Sequence, residues 1–209
     1  MNLLRLAVFA ASAASLIALA ARARWAAAFG GPDACAPARG SARRGIAYAL
    51  GRGLLPWEKE SARRHLVTYL AGIIYHTGIF SAFAVLAALA AGFSIPRPIV
   101  FLLRLGLAAG LVSGIGLFVK RAVLPLSRAL SRLDDYAANL LVNLFLALAL
   151  AASLDARTAD PFMALAVILL LYIPMGKIRH CLFFFRSRIH FGRLLGRRGV
   201  LPPGAASAS

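Results

Sequence analysis

Apolar positions run along this chain in long unbroken blocks, without the alternation of strands or the spacing of soluble amphipathic helices. Five blocks, approximately 3–21, 66–91, 98–119, 136–154 and 162–176, reach or approach the length a helix needs to cross about 30 Å of hydrocarbon. Helix is the form predicted for all five. Lipid cannot satisfy an open backbone, and continuous blocks lack the dyad pattern of a membrane β-barrel. The last block is short, and "CLFFF" at 181–185 continues its apolar character past a basic patch.

The polar segments between the blocks set the orientation. Nine basic residues fall in 22–64, four in 120–132 and seven from Lys177 to Arg198. The alternate side holds only Arg5, Arg97 and Arg157. Basic loops stay cytoplasmic, so the expected fold is an all-α integral membrane bundle of five transmembrane helices, N-terminus outside and C-terminus cytoplasmic. A cleavable signal peptide is the competing reading of the first block. Its flanks argue against that, with one Arg near its start and several after it.

The chain accordingly divides into a first membrane helix (1–22), a basic cytoplasmic loop (23–64), a four-helix membrane domain (65–190) and a basic tail expected to be disordered (191–209). Within the loop, "FGGPDACAPARGSARRG" reads as irregular. "GLLPWEKESARRH" reads as an interfacial helix started by Pro56, with Trp57 at the aromatic belt.

Composition narrows the function. Of 209 residues 61% are hydrophobic, too many for a soluble domain. The 24 Lys and Arg against 7 Asp and Glu would fit nucleic acid or a membrane surface, but they cluster between membrane blocks, which excludes a nucleic-acid binder. The connections outside are too short for a catalytic domain. Cys35 and Cys181 both fall on the cytoplasmic side without CxxC spacing, and are expected to be free thiols.

Four histidines carry the candidate chemistry. His76, in "YHTGIF", lies about 15 Å along the second span from its cytoplasmic start. An ionisable ring at that depth is a candidate functional group; the alternative is a neutral histidine bonded to a neighbouring helix. His180 ends the fifth span in the same cytoplasmic half. Two antiparallel helices could present the two rings to opposite faces of one haem, whose iron takes two axial histidines. Gly72, one turn before His76, would let a flat ring approach, and Gly78 adds weaker local room. Zinc would need more convergent ligands than the segment supplies. His65 is an alternative partner for His180, or a solvated interfacial histidine. His190 sits in the basic tail, where a solvated or partner-facing role is expected.

Three segments in order, "YHTGIF", "KRAVLPLSR" and "LLLYIPMGKIRHCLFFF", resemble the respiratory nitrate reductase gamma subunit family over roughly 65–190. Its members are five-helix, haem b, quinol-oxidising membrane subunits. Relatives include the membrane cytochromes paired with heterodisulfide-reductase-like iron–sulfur proteins. The resemblance implies that His76 and His180 ligate the haem nearer the cytoplasm. The nitrate reductase subunit has a second, outer haem, but here Leu86 and about Phe162 stand at the corresponding places and cannot ligate iron. One haem b is therefore expected.

Arg104, in "FLLRLGL", falls inside the third span. It could donate to a quinone carbonyl or a haem propionate, or snorkel outward beside Arg97. Tyr69, Tyr75 and Tyr172 could line a quinone cleft or simply pack. Asp134 and Asp135 precede the fourth span, where carboxylates favour a helix N-terminus.

The function expected is a cytochrome b subunit of a multi-pass, bacterial-type cytoplasmic (inner) membrane protein. It would pass electrons from quinol through one haem to a cytoplasmic iron–sulfur or oxidoreductase partner, with anionic lipids at its basic face. The alternative is a haem-free scaffold, assembly factor or small transporter.

Overall fold

The computed structural model describes residues 3–29, 37–58 and 60–202, and among them there is no strand. Among the described residues nine α-helices follow one another: α1 (Leu3–Ala28), α2 (Ala42–Leu50), α3 (Glu60–Arg64), α4 (Leu66–Ala91), α5 (Arg97–Val123), α6 (Pro125–Ala129), α7 (Leu133–Leu154), α8 (Ala159–Tyr172) and α9 (His180–Arg197). Helices α1, α4, α5 and α7 are each long and apolar enough to cross a membrane. The broken pair Ala156–Tyr172 and Lys177–Arg197 supplies a fifth if it is one span. The chain is thus an all-α, multi-pass membrane protein. It separates into two compact units, 1–18 with 67–178, and 19–66 with 179–209.

The first unit is a bundle in which a close seam joins α4 to α5. "GLAAGLVSG" places Gly106, Gly110 and Gly114 four residues apart, so one face of α5 has no side chains. Small faces of this kind let membrane helices approach backbone to backbone. Gly78 meets that face on α4: a Cβ there would stand 2.7 Å from Gly110 Cα and 3.0 Å from the Gly106 carbonyl. Ser113 Oγ donates to the Ala71 carbonyl across the same seam at 2.6 Å, and Lys120 Nζ donates to Thr68 Oγ1 at its end.

Farther along, an aromatic core closes α4 against α7 and α8. Phe83 lies 5.1 Å from Phe145, and Phe145 lies 5.1 Å from Phe162, ring centre to ring centre. Phe145 and Phe162 are wholly buried. Asp135 serves the N-terminus of α7: it accepts from Arg132 N at 2.9 Å and pairs with Arg121 at 3.2 Å and Lys177 at 3.4 Å. Asp134 instead accepts from the Tyr172 hydroxyl.

The fifth block stops earlier than its apolar character predicts. Helix α8 ends at Tyr172, just before "IPMG". Pro174 cannot donate to the helical ladder, and the chain turns there before the short Lys177–Arg179 turn.

The second unit contains more helix than the sequence reading assigns. Ser41 Oγ accepts from Arg44 N at 3.3 Å and starts α2 inside the segment read as a loop. Cys35 lies outside the described residues. The single interfacial helix is instead two short 3₁₀ turns, Arg52–Leu54 and Pro56–Glu58, followed by α3. Helix α9 continues to Arg197, into the segment read as a disordered tail, while 203–209 lie outside the described residues. Glycines join α2 to α9: a Cβ on Gly192 would stand 2.6 Å from the Gly45 carbonyl, and one on Gly196 2.8 Å from Gly45 Cα. Arg188 ties the pair further, donating to the Ala49 carbonyl at 3.0 Å and the Gly53 carbonyl at 2.8 Å.

Glu58 makes this unit sensitive to acid. It accepts from the Tyr48 hydroxyl at 2.8 Å and from Arg52 Nε at 2.7 Å. These bonds, Tyr48's first, hold its carboxyl below the usual 4.5. Its support is therefore complete above the unfolded carboxylate range and is lost as pH falls through that range towards the folded value. Hydrogen exchange across 42–58 is expected to quicken on acidification, and Glu58→Gln to remove that pH dependence.

Candidate cofactor site

His76 stands on α4 with its side chain exposed. It lies seven residues, about two turns, before Phe83, and so on nearly the same helix face. At Phe83 that face is closed by Phe145 and Phe162; at His76 it is open. A Cβ built on Gly72, one turn earlier, meets nothing within 4 Å. The open stretch beside the ring is what a flat, bulky cofactor needs.

The ring itself is oriented. Its Nδ1 lies 2.7 Å from the Gly72 carbonyl. A carbonyl only accepts, so Nδ1 carries a proton. A metal-ligating imidazole is commonly fixed in this way, its second nitrogen donating to a carbonyl that sets the tautomer.

His180 is the first residue of α9, in the other unit, and it too is exposed. His65 is exposed at the turn between α3 and α4, and His190 is exposed midway along α9. Among the described residues, no three His, Cys, Asp or Glu side chains converge on a metal position.

Gly78 and Arg104 have other occupations. Gly78 is buried in the α4–α5 crossing, where it packs against Gly110 and serves helix approach. Arg104 reaches α7: Nη2 donates to the Ser153 carbonyl and Nε to Ser153 Oγ at 3.3 Å. The guanidinium thus caps the C-terminal turn of α7, where carbonyls lack helical partners and the dipole favours a cation. Arg104→Ala is expected to cost about 1–3 kcal/mol by stranding that carbonyl. Unfolding in detergent would measure it, with Arg104→Lys recovering part of the loss.

The sequence reading passes over a polar cluster between α4, α5 and α7. Asn139 Nδ2 donates to the Tyr75 hydroxyl at 3.0 Å, which occupies a tyrosine considered for a quinone cleft. Asn143, one turn on, is 8% exposed, and among the described residues its Oδ1 has no conventional donor. It faces Gly114 Cα, beside the Tyr75 ring. A Cα–H···O contact at a helix crossing is the interaction such an oxygen can make there. Two asparagines four residues apart in "NLLVN" were the available signal.

Fold and site define a class, the multi-pass helical membrane protein with an oriented histidine on an open helix face. No family model, no curated protein and no solved structure matches the chain.

Proposed function

We propose that this chain is a membrane cytochrome b subunit of the nitrate reductase gamma-like kind, in a bacterial-type cytoplasmic membrane. It holds one haem b between His76 and His180. It accepts electrons from membrane quinol and delivers them to a cytoplasmic iron–sulfur or oxidoreductase partner. The observation that carries this reading is the His76 ring, held by the Gly72 carbonyl on an open face at membrane depth. An ionisable group in such a place is costly unless it has work to do.

When bound, the haem would supply a one-electron carrier inside the bilayer. The chain's own residues do the rest. The Gly72 carbonyl holds Nδ1 and so leaves Nε2 as the nitrogen that would ligate the iron. The bare Gly72 surface admits a planar group. The Phe83–Phe145–Phe162 core fills the bundle around Leu86 and Phe162, the places where the resembling family has its outer ligands. A single haem, on the cytoplasmic side, is the consistent count. Arg104 acts here as a helix cap, so it is no longer assigned to quinone or propionate.

The test is a reduced-minus-oxidised absorption spectrum of the full chain purified from haem-replete cells. A low-spin haem b difference signal that a quinol analogue also elicits is the expected result. A colourless preparation would favour the haem-free scaffold, assembly factor or transporter.

A further inference from the structure

A cleft opens in the first unit where α4 gives way to α5. Val85, Ala88 and Phe93 wall it on the α4 side, Val100 and Leu103 on the α5 side and Ser153 of α7 on a third, around about 160 Å³. Its α4 wall runs from Val85 past the helix end to Phe93, about 12 Å at helical rise. The volume is thus drawn out into a narrow slot along a membrane-crossing helix. Ser153 is the one polar residue in the lining. Its hydroxyl is already committed, donating to the Leu150 carbonyl at 2.7 Å and accepting from Arg104 Nε at 3.3 Å. A quinone carbonyl would find no side-chain donor in the slot, whereas a hydrocarbon chain needs none. Two arginines border the cleft. Arg97 is exposed on the first turn of α5, between the lining residues Ile95 and Val100. Arg5 of α1 lies against Gly92, the neighbour of Phe93: a Cβ built on Gly92 would stand 3.2 Å from Arg5 Nη1. Asp155 and Asp160 are the carboxylates on this side of the unit, and among the described residues neither pairs with Arg5 or Arg97. Asp155 accepts instead from Arg157 N at 2.9 Å.

We propose that this cleft is an anionic phospholipid site, in which one acyl chain lies in the slot and Arg97 and Arg5 hold the headgroup phosphate. A phospholipid joins a hydrocarbon chain to a phosphate at one end, and the cleft joins an apolar slot to cations at one end. Guanidinium groups hold phosphate oxygens through charge-assisted hydrogen bonds. The positive-inside pattern leaves this side only Arg5, Arg97 and Arg157, so orientation alone gives no reason for two of the three to border one cleft. Every residue used here belongs to the first unit, and the site does not depend on haem.

The test uses the full chain, stripped of lipid in detergent and followed by native mass spectrometry as dioleoyl phosphatidylglycerol is added. One tightly retained lipid per chain is expected. Phosphatidylcholine, net neutral, should be retained less, and glycerophosphoglycerol, the same headgroup without chains, not at all. Arg97→Gln is expected to weaken retention about fivefold, as one interfacial arginine contributes about 1 kcal/mol. Arg128→Gln, exposed on α6, is the control and should leave it unchanged. Ala88→Leu should fill the slot and expel the lipid while helicity stays the same. Arg97 is exposed, so its variant keeps the test decisive if Ala88→Leu does not fold. Equal retention in Arg97→Gln and the unaltered chain overturns the proposal, as does a folded Ala88→Leu protein that keeps its lipid. So does retention of the headgroup alone. One-for-one displacement by a short-chain quinone, or a dimer that Ala88→Leu dissolves, would also overturn it, by seating a quinone or a second copy in the cleft. The haem absorption of the same samples reports separately on the cytochrome assignment, which none of these outcomes alters.

Discussion

His76→Ala is expected to abolish haem binding while leaving the bundle folded. The His76 side chain is exposed and bonds the Gly72 carbonyl of its own helix. Alanine is also the best helix former. The loss should therefore appear in the absorption spectrum and not in helicity or yield. His180→Ala should match it, because a bis-histidine iron that loses either ring loses its low-spin signature. His65→Ala and His190→Ala should leave the signal in place. Gly72→Leu separates ligation from access. The leucine has open space to enter, so the fold tolerates it, yet it would occupy the surface on which a planar cofactor must lie. Haem loss in Gly72→Leu with an unchanged unfolding midpoint is the expected pair of results. A retained spectrum in His76→Ala would remove the ligand assignment.

The second large effect concerns folding. Gly78→Leu should destabilise the bundle by about 3 kcal/mol or more, the upper range for overpacking a close crossing. Even a Cβ at this position would stand 2.7 Å from Gly110 Cα and 3.0 Å from the Gly106 carbonyl. These are backbone atoms, and they cannot rotate away as a flexible side chain would. The helices would have to separate, which would stretch the Ser113–Ala71 bond and the Lys120–Thr68 bond along the same seam. Gly110→Leu should behave similarly, since it enters the same contact from the other side. Gly116→Leu is the control on α5, for a Cβ there meets nothing within 4 Å. Denaturant titration in detergent micelles would compare the three; a Gly78→Leu protein as stable as Gly116→Leu would refute this account of the seam.

The membrane helices were legible in the sequence because lipid imposes a rule on length that apolar blocks display directly. Asp135 was legible as a helix-start residue for a similarly local reason. What could not be read there depends on pairing. Gly106, Gly110 and Gly114 announce a small-residue face, but nothing local says that Gly78 meets it. Tyr75 and Asn139 are distant in the chain, and only the packing of α4 on α7 makes one the partner of the other. Arg104 was visible as a charge within an apolar block, yet its role as a cap required the end of α7 to arrive beside it. Helices α2 and α9 were hidden for another reason: they are basic and amphipathic, so in a hydropathy reading they resemble loop and tail. Of the candidate site, His76 and Gly72 were readable from depth and spacing. The open surface beside them and the orientation of the ring came from the fold.

The central claim is a single haem held by two histidines, and the ratio of haem to polypeptide in the purified full chain tests it most directly. Quantified as the pyridine derivative against amino-acid analysis, the account predicts one haem b per chain, falling to none in His76→Ala. A ratio of zero in the unaltered protein from haem-replete cells, or of two, would contradict it.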